Sequence, residues 1–302
     1  MSGFGNPITL VRASWSLACE TFSQFVGESP FQQAAALSFY TLLSLSPLVL
    51  IVVGIAGLMW SEAAVREQLL EQITQLIGPA GAETVRTVLT HASQRGRSIS
   101  SIVFGFITLL IGATTVFGQL QAALNHMWNV RTTPTRHAFW SLIRTRLLSL
   151  TLVLALGFLL LVSLVVSAAL AAVEAYLFRA VPGAALLWQS LNLVTSLVVI
   201  ALLVAMIFKF LPDVRIRWAW AWFGGFVTSA LLGVGKFMIG LYLGQASIAS
   251  SYGAAGSLVV FLVWIYYSSL IFLFGAELTQ VFARRRGAAI EPASYAELVP
   301  RG

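Results

Sequence analysis

The chain has 302 residues, of which 58% are hydrophobic and only 10% are charged. A soluble domain carries about 25% charged residues, so the composition excludes an ordinary water-soluble protein and indicates an integral membrane protein. The net charge of +7 is typical of basic residues that set membrane orientation, and we expect no nucleic-acid partner. Cys19 is the only cysteine, which excludes a disulfide framework.

Residues 1–33 predict a cytoplasmic helix that lies along the membrane interface. Trp15, Cys19, Phe22 and Val26 are spaced by 4, 3 and 4 residues, which places them on one helical face. The segment lacks the continuous apolar core and the small-residue cleavage site of a signal peptide, so we expect no cleaved leader.

Six stretches are apolar enough to cross a bilayer, which takes about 20 residues per helix. They cover about 34–60, 101–120, 147–173, 186–210, 218–243 and 256–282. We therefore predict an all-α fold, a polytopic membrane helix bundle with six transmembrane helices over residues 34–283.

Lys and Arg residues set the predicted topology. Eleven lie in the N-terminus, the 121–146 loop, the 209–217 turn and the tail, against five in the other connections. Because the basic connections face the cytoplasm, both termini of this multi-pass protein are expected inside.

The remaining segments also carry predictions. Residues 61–100 form an outer amphipathic hairpin, since apolar residues recur at helical spacing on both sides of "GPAG" (Gly78 to Gly81). Residues 284–297 form a cytoplasmic tail. The last residues, 298–302, match a protease-cleavage site left by expression and are set apart from the fold.

Polar or small residues form lines along three spans. On the first span, Gln33, Tyr40 and Ser44 fall within about 60° of one another, together with Pro47, which should kink the helix. The second carries small or polar residues at every third or fourth position from Ser101 to His126, and the fifth carries a similar line from Gly225 to Gly244. Such lines serve either close helix packing or the lining of a cavity, and both interpretations stay open.

The candidate residues divide into two groups. The cavity-lining or substrate-binding candidates are Lys236, Gln33, Tyr40, Ser44, Thr108, Thr115, Gln119 and His126. The structural candidates are Pro47, Gly112, Gly233, Gly240 and Glu277.

Two ionisable residues lie well inside predicted spans, where a charge costs roughly 2.5–3.5 kcal/mol on insertion scales. Lys236 stands between Gly233 and Gly240 in the outer third of the fifth span. It either lines an outward-opening pocket that receives an anionic group or extends to the outer interface. Glu277 is expected to anchor the sixth span by pairing with a base of the 209–217 turn.

The sequence carries no pattern for enzymatic chemistry. The three histidines are not spaced as metal ligands, and neither a phosphate-binding glycine loop nor a nucleophile elbow occurs. We expect no enzyme, no cofactor, no metal and no ATP hydrolysis.

Several long runs resemble a known family. They are "AAALSFYTLLSLSP" (Ala34 to Pro47), "GATTVFGQLQAALNHMWNV" (Gly112 to Val130), "FLPD" (Phe210 to Asp213), "GKFMIGLYLG" (Gly235 to Gly244) and "YGAAGSLVVFLVWIYYSSLIFLFGAELTQVFA" (Tyr252 to Ala283). In order and over about residues 10–285, they resemble the YihY/BrkB family of bacterial inner-membrane proteins. The resemblance implies six spans and a multi-pass location in the bacterial inner (plasma) membrane, and it brings no catalytic residues. The family was once labelled ribonuclease BN, a label generally regarded as misassigned, and its members are associated with serum resistance, export or lipid-related transport.

Two functional hypotheses follow. The leading one is a transporter or flippase-like permease for an amphipathic, anionic envelope molecule or lipid, with membrane lipids as partners. The alternative is a non-transporting envelope-integrity or scaffold membrane protein whose polar lines only join helices. An RNA nuclease is disfavoured, because metal-dependent phosphodiester chemistry needs clustered carboxylates or histidines. The substrate, any coupling ion and the oligomeric state, including a homo-oligomer, stay open.

Overall fold

The computed structural model describes residues 7–56, 115–133, 185–245, 255–293 and 295–299, and within 67–112 only residues 67, 70, 74, 82–87, 90 and 112. The predicted third span, Thr108 and most of the predicted outer hairpin lie outside these residues. Residues 82–87 are helical, with Ala82, Thr84 and Val85 buried and Glu83 and Arg86 exposed.

The described part of the chain is mostly helical, as predicted. Helix α1 covers Pro7–Gly27, α2 covers Pro30–Ala56, α3 covers Ala185–Phe210, α4 covers Trp218–Gln245 and α5 covers Gly256–Arg285. A further helical segment covers 115–127. The break between α1 and α2 falls at Ser29, whose φ is 50°, because the residue before a proline is driven out of the helical region. Proline itself is well tolerated as the first helical residue.

The membrane-crossing character of the helices agrees with the sequence in part. Among the residues with described side chains, Trp218–Tyr242 and Gly256–Arg285 are long and apolar enough to cross a membrane. Helices α2 and α3 coincide with the first and fourth predicted spans. Six transmembrane helices as a complete set stay a prediction.

The chain divides into two compact units. One comprises 1–28, 121–233 and 272–302, and the other comprises 29–120 and 234–271. In the first unit, α4 and α5 pack through two reciprocal contacts. A Cβ added to Gly224 would lie 2.0 Å from Thr279 Oγ1, and one added to Gly275 would lie 1.9 Å from Thr228 Oγ1. Only glycine permits this approach, so the two helices are fixed in one antiparallel register.

A small β-ribbon corrects the all-α expectation in one detail. Strand β1 (Val130–Thr132) pairs antiparallel with β2 (Ala296–Leu298), with Val130 opposite Leu298. Val299 N–H also donates to the Asn129 carbonyl. Leu298 and Val299, which the sequence assigns to the remnant of a protease-cleavage site, therefore take part in this pairing. Next to the ribbon, Trp128, Val130, Val214, Ile216, Ala205 and Ala221 form a buried apolar cluster.

In the second unit, α2 lies beside residue 112 and the start of the helical segment 115–127. The second half of α4 packs on α5, where a Cβ at Gly235 would lie 2.5 Å from Ile271 and 2.9 Å from Tyr267. Ile239, Val260, Phe261 and Ile265 are buried here.

Candidate functional site

The candidate site is the polar seam, which we define as Gln33, Tyr40 and Ser44 on α2 with Gly112, Thr115 and Gln119 opposite them. Gln119 Nε2 donates a hydrogen bond of 3.0 Å to Gln33 Oε1. At the other end, a Cβ added to Gly112 would lie 3.1 Å from Ser44 Cβ. The structure thus brings together two residue pairs from the two polar lines of the sequence.

Between these two contacts the residues of the polar seam differ in exposure. Tyr40 is half-buried and Thr115 is exposed, whereas Ser44 is buried. The exposed rings and chains of Phe39 and Leu43 flank Tyr40 on α2. Tyr40 on α2 and Thr115 opposite it therefore carry polar groups that are at least partly exposed.

The hydroxyl groups of α2 are mostly satisfied within their own helix. Ser38 Oγ donates to the Ala35 carbonyl at 2.8 Å, and Ser44 Oγ donates to the Thr41 carbonyl at 3.0 Å. Thr41 does the same with the Leu37 carbonyl at 2.7 Å. These bonds lower the cost of placing hydroxyls in a membrane helix. Helix α2 is helical on both sides of Pro47.

His126, the last residue of the polar line on the second predicted span, contacts a residue that sequence reasoning missed. Its Nε2 lies 3.2 Å from Glu28 Oε2, with Glu28 largely buried and His126 half-exposed. The pair is ionic whenever the imidazole is protonated. The sequence carried little signal for this pair, because Glu28 lies in the break between α1 and α2 and belongs to neither polar line.

Sequence reasoning also missed a hub around Asp213, whose side chain is only 4% exposed. One carboxylate oxygen accepts from Gln121 Nε2 at 3.1 Å and from Tyr295 OH at 2.9 Å. The other accepts from Asn125 Nδ2 at 2.8 Å and from Thr132 Oγ1 at 3.3 Å. Four neutral donors hold the buried carboxyl group, which joins the short α3–α4 loop to the β-ribbon.

The two ionisable residues within predicted spans have different surroundings. Lys236 is exposed on α4, as are Gly233 and Gly240, and no described atom lies within 4 Å of a Cβ added to either glycine. The packing role of these glycines and the pocket role of Lys236 stay predictions. Glu277 is fully buried on α5. One of its expected partners, Lys209, donates from Nζ to the Ile216 carbonyl.

No cofactor site emerges within the described residues. No three side chains among their histidines, cysteines, aspartates and glutamates come together as metal ligands. The chemistry that the described residues can offer a ligand is hydrogen bonding by the amide and hydroxyl groups of the polar seam.

Comparisons with known proteins agree on one family. The family model described as "Virulence factor BrkB" matches residues 21–297. The chain is 28% identical over 265 residues to a UPF0761 membrane protein of Pseudomonas aeruginosa, covering 84% of this chain and 60% of that protein. It is 28% identical over 275 residues to one of Stenotrophomonas maltophilia, covering 89% and 61%. It is 29% identical over 271 residues to one of Albidiferax ferrireducens, covering 88% and 62%. The chain thus spans about three-fifths of the length of the curated relatives it matches. No solved structure matches.

Proposed function

Because the chain belongs to the BrkB family of membrane proteins, we propose that it is a transporter or flippase-like permease. It moves an amphipathic, anionic envelope molecule or lipid across the bacterial inner membrane, with both termini in the cytoplasm. No covalent bond is made or broken and no ATP is hydrolysed. The proposal concerns this chain alone, because the matched relatives are longer than the region they share with it.

The observation that carries the proposal is the partial exposure of the polar seam. The Gln33–Gln119 hydrogen bond and the half-buried Tyr40 place amide and hydroxyl groups on the accessible side of an apolar helix. A headgroup that leaves water loses several kcal/mol of hydrogen bonding unless the protein replaces it. The seam supplies that replacement while the acyl chains stay in the bilayer.

A second observation favours the alternative, an envelope-integrity or scaffold protein. The two glutamines satisfy each other, and Ser44 and Gly112 are in close contact, as in a helix junction that needs no ligand. The two functions predict different lipid-transport activity for a variant whose polar seam lacks the two amide side chains.

The test is lipid flipping by the purified protein in vesicles. A fluorescent anionic phospholipid becomes accessible to an impermeant quencher only after it crosses the bilayer. We expect faster crossing with the protein than in empty vesicles, and loss of that increase in the double variant Gln33→Leu/Gln119→Leu. Replacing both hydrogen-bond partners by apolar groups of similar size is nearly neutral for stability, so the double variant removes polarity without unfolding the protein.

The matched control is Ser38→Ala on the same helix. Ser38 is buried about 140° away from Gln33 around α2, and its hydroxyl donates only to the Ala35 carbonyl. It should flip lipid like the unaltered protein. Equal rates in protein-containing and empty vesicles would favour the scaffold function, and full activity of the double variant would remove the polar seam from the pathway.

A further inference from the structure

Helix α1 has two faces of opposite character. One face packs on the protein, where Thr21 and Phe25 are buried and the Phe25 ring meets Phe274 edge-on at 5.4 Å. The other face is the outward stripe, which we define as Trp15, Cys19, Phe22 and Val26. Trp15 is 71% exposed and Phe22 is 62% exposed, so the largest apolar groups of α1 have little protein cover.

Two arginines at the end of α5 fix which way α1 faces. Arg285 donates to Glu20 Oε2 at 2.7 Å and to Ser16 Oγ at 2.9 Å. Arg284 donates to Gln24 Oε1 at 2.6 Å and lies 3.6 Å from Glu20. Ser16, Glu20 and Gln24 lie on successive turns of one side, so this clamp resists rotation of α1 and holds the outward stripe away from the protein.

The charges around α1 are mainly positive. Glu20 is the one carboxylate that the described residues place against Arg284 and Arg285, so one positive charge remains in excess there. Arg12 precedes Trp15 by three residues and is exposed, and Arg286 is exposed beside the clamp. A surface that combines bulky apolar groups with cations matches the edge of an anionic bilayer.

We propose that the outward stripe lies in the interfacial layer of an anionic lipid leaflet, with Trp15 and Phe22 inserted and the arginines near the headgroups. A surface helix of this kind buries its apolar face about 5–10 Å deep. Indole rings are favoured at that level. Chain continuity supports the assignment, since the apolar helix α2 begins at Pro30, three residues after α1 ends. The inference is independent of the proposed transport function.

Cys19 gives a direct test, because it is the only cysteine, is exposed, and belongs to the outward stripe. The full chain carries an environment-sensitive fluorophore on Cys19 and is reconstituted in vesicles of zwitterionic lipid with added phosphatidylglycerol. Quenchers are spin labels at fixed depths on the lipid chains, or iodide in the water. The control is Cys19→Ser/Ser14→Cys, which moves the label about 140° around α1.

We expect shallow spin labels to quench the label at Cys19 at least about twofold more than the label at position 14, as insertion to that depth requires. Iodide should show the opposite order. Trp15→Ser/Phe22→Ser should remove the difference while leaving the protein folded, because both side chains are mostly exposed.

Two outcomes would overturn the proposal. Equal quenching of both labels by iodide would place the outward stripe in water. Oxidative cross-linking of Cys19 to Cys19, or energy transfer between labels that persists after dilution into excess lipid, would show that a second copy covers it.

Discussion

The Asp213 hub gives the sharpest prediction for stability. Asp213→Ala removes the acceptor of four hydrogen bonds, from Gln121, Asn125, Thr132 and Tyr295. Each buried donor left without an acceptor costs about 1–3 kcal/mol, and water that enters the gap recovers part of this. We therefore expect a loss of about 4 kcal/mol of unfolding free energy, which corresponds to a drop in Tm of roughly 6 °C for 302 residues at an unfolding entropy of about 2.1 cal/mol/K per residue.

The donors should rank by geometry in the same assay, thermal unfolding of the purified protein in detergent. Asn125→Ala should cost more than Tyr295→Phe, because the Asn125 amide also accepts from Asp213 N–H at 2.8 Å. Thr132→Val should cost least, since its bond is 3.3 Å long. The reasoning is refuted if Asp213→Ala unfolds within about 2 °C of the unaltered protein, which is about the change expected from one ordinary hydrogen bond.

Three further predictions concern packing, the embedded cation and topology. Gly275→Val should lower Tm strongly, because the added Cβ would lie 1.9 Å from the facing hydroxyl. The matched Gly233→Val has open space at its Cβ and should not lower Tm strongly. Equal Tm shifts in the two variants would contradict the packing account. Lys236→Met should abolish lipid transport at unchanged membrane abundance, and a fully active variant would exclude a role for its charge. In a Cys19→Ser background, an impermeant thiol reagent added from the periplasm should label a cysteine at Ser93 and not one at Thr133, and the reverse pattern would invert the topology.

Most helices could be predicted because their cause is local. A membrane helix needs about 20 apolar residues, and α2, α4 and α5 begin and end within about four residues of the predicted spans. The amphipathic spacing of α1 is local in the same sense. The polar line on the second predicted span could also be recognised in the sequence. Which of its residues contact α2 depends on how the two helices cross, and periodicity does not encode that crossing.

The remaining features depend on contacts between distant segments. The β-ribbon joins strands of three residues each, with Thr132 opposite Ala296, too short for an alternation pattern to be recognised. Asp213 lies in a run noted for its family resemblance, yet its donors are 81 to 92 residues away. The line of small residues around Lys236 favoured close helix packing at Gly233 and Gly240. In the structure, the contact with α5 is made instead by Gly235, which is not on that line.

The Asp213 hub also has a consequence for the order of biosynthesis. Thr133 donates to the Tyr295 carbonyl across 162 residues, which translation at about 5–20 residues per second covers in roughly 8–30 s. Gln121 and Asn125 can therefore bond to Asp213 first, and Tyr295 completes the hub only later. Until the ribosome has passed this tyrosine, the inserted chain carries an unpaired strand edge and an incomplete set of donors around a carboxylate. A nascent chain that stalls before that point would be inserted in the membrane without a complete β-ribbon and Asp213 hub. Quality-control proteases would encounter it in this incompletely folded form.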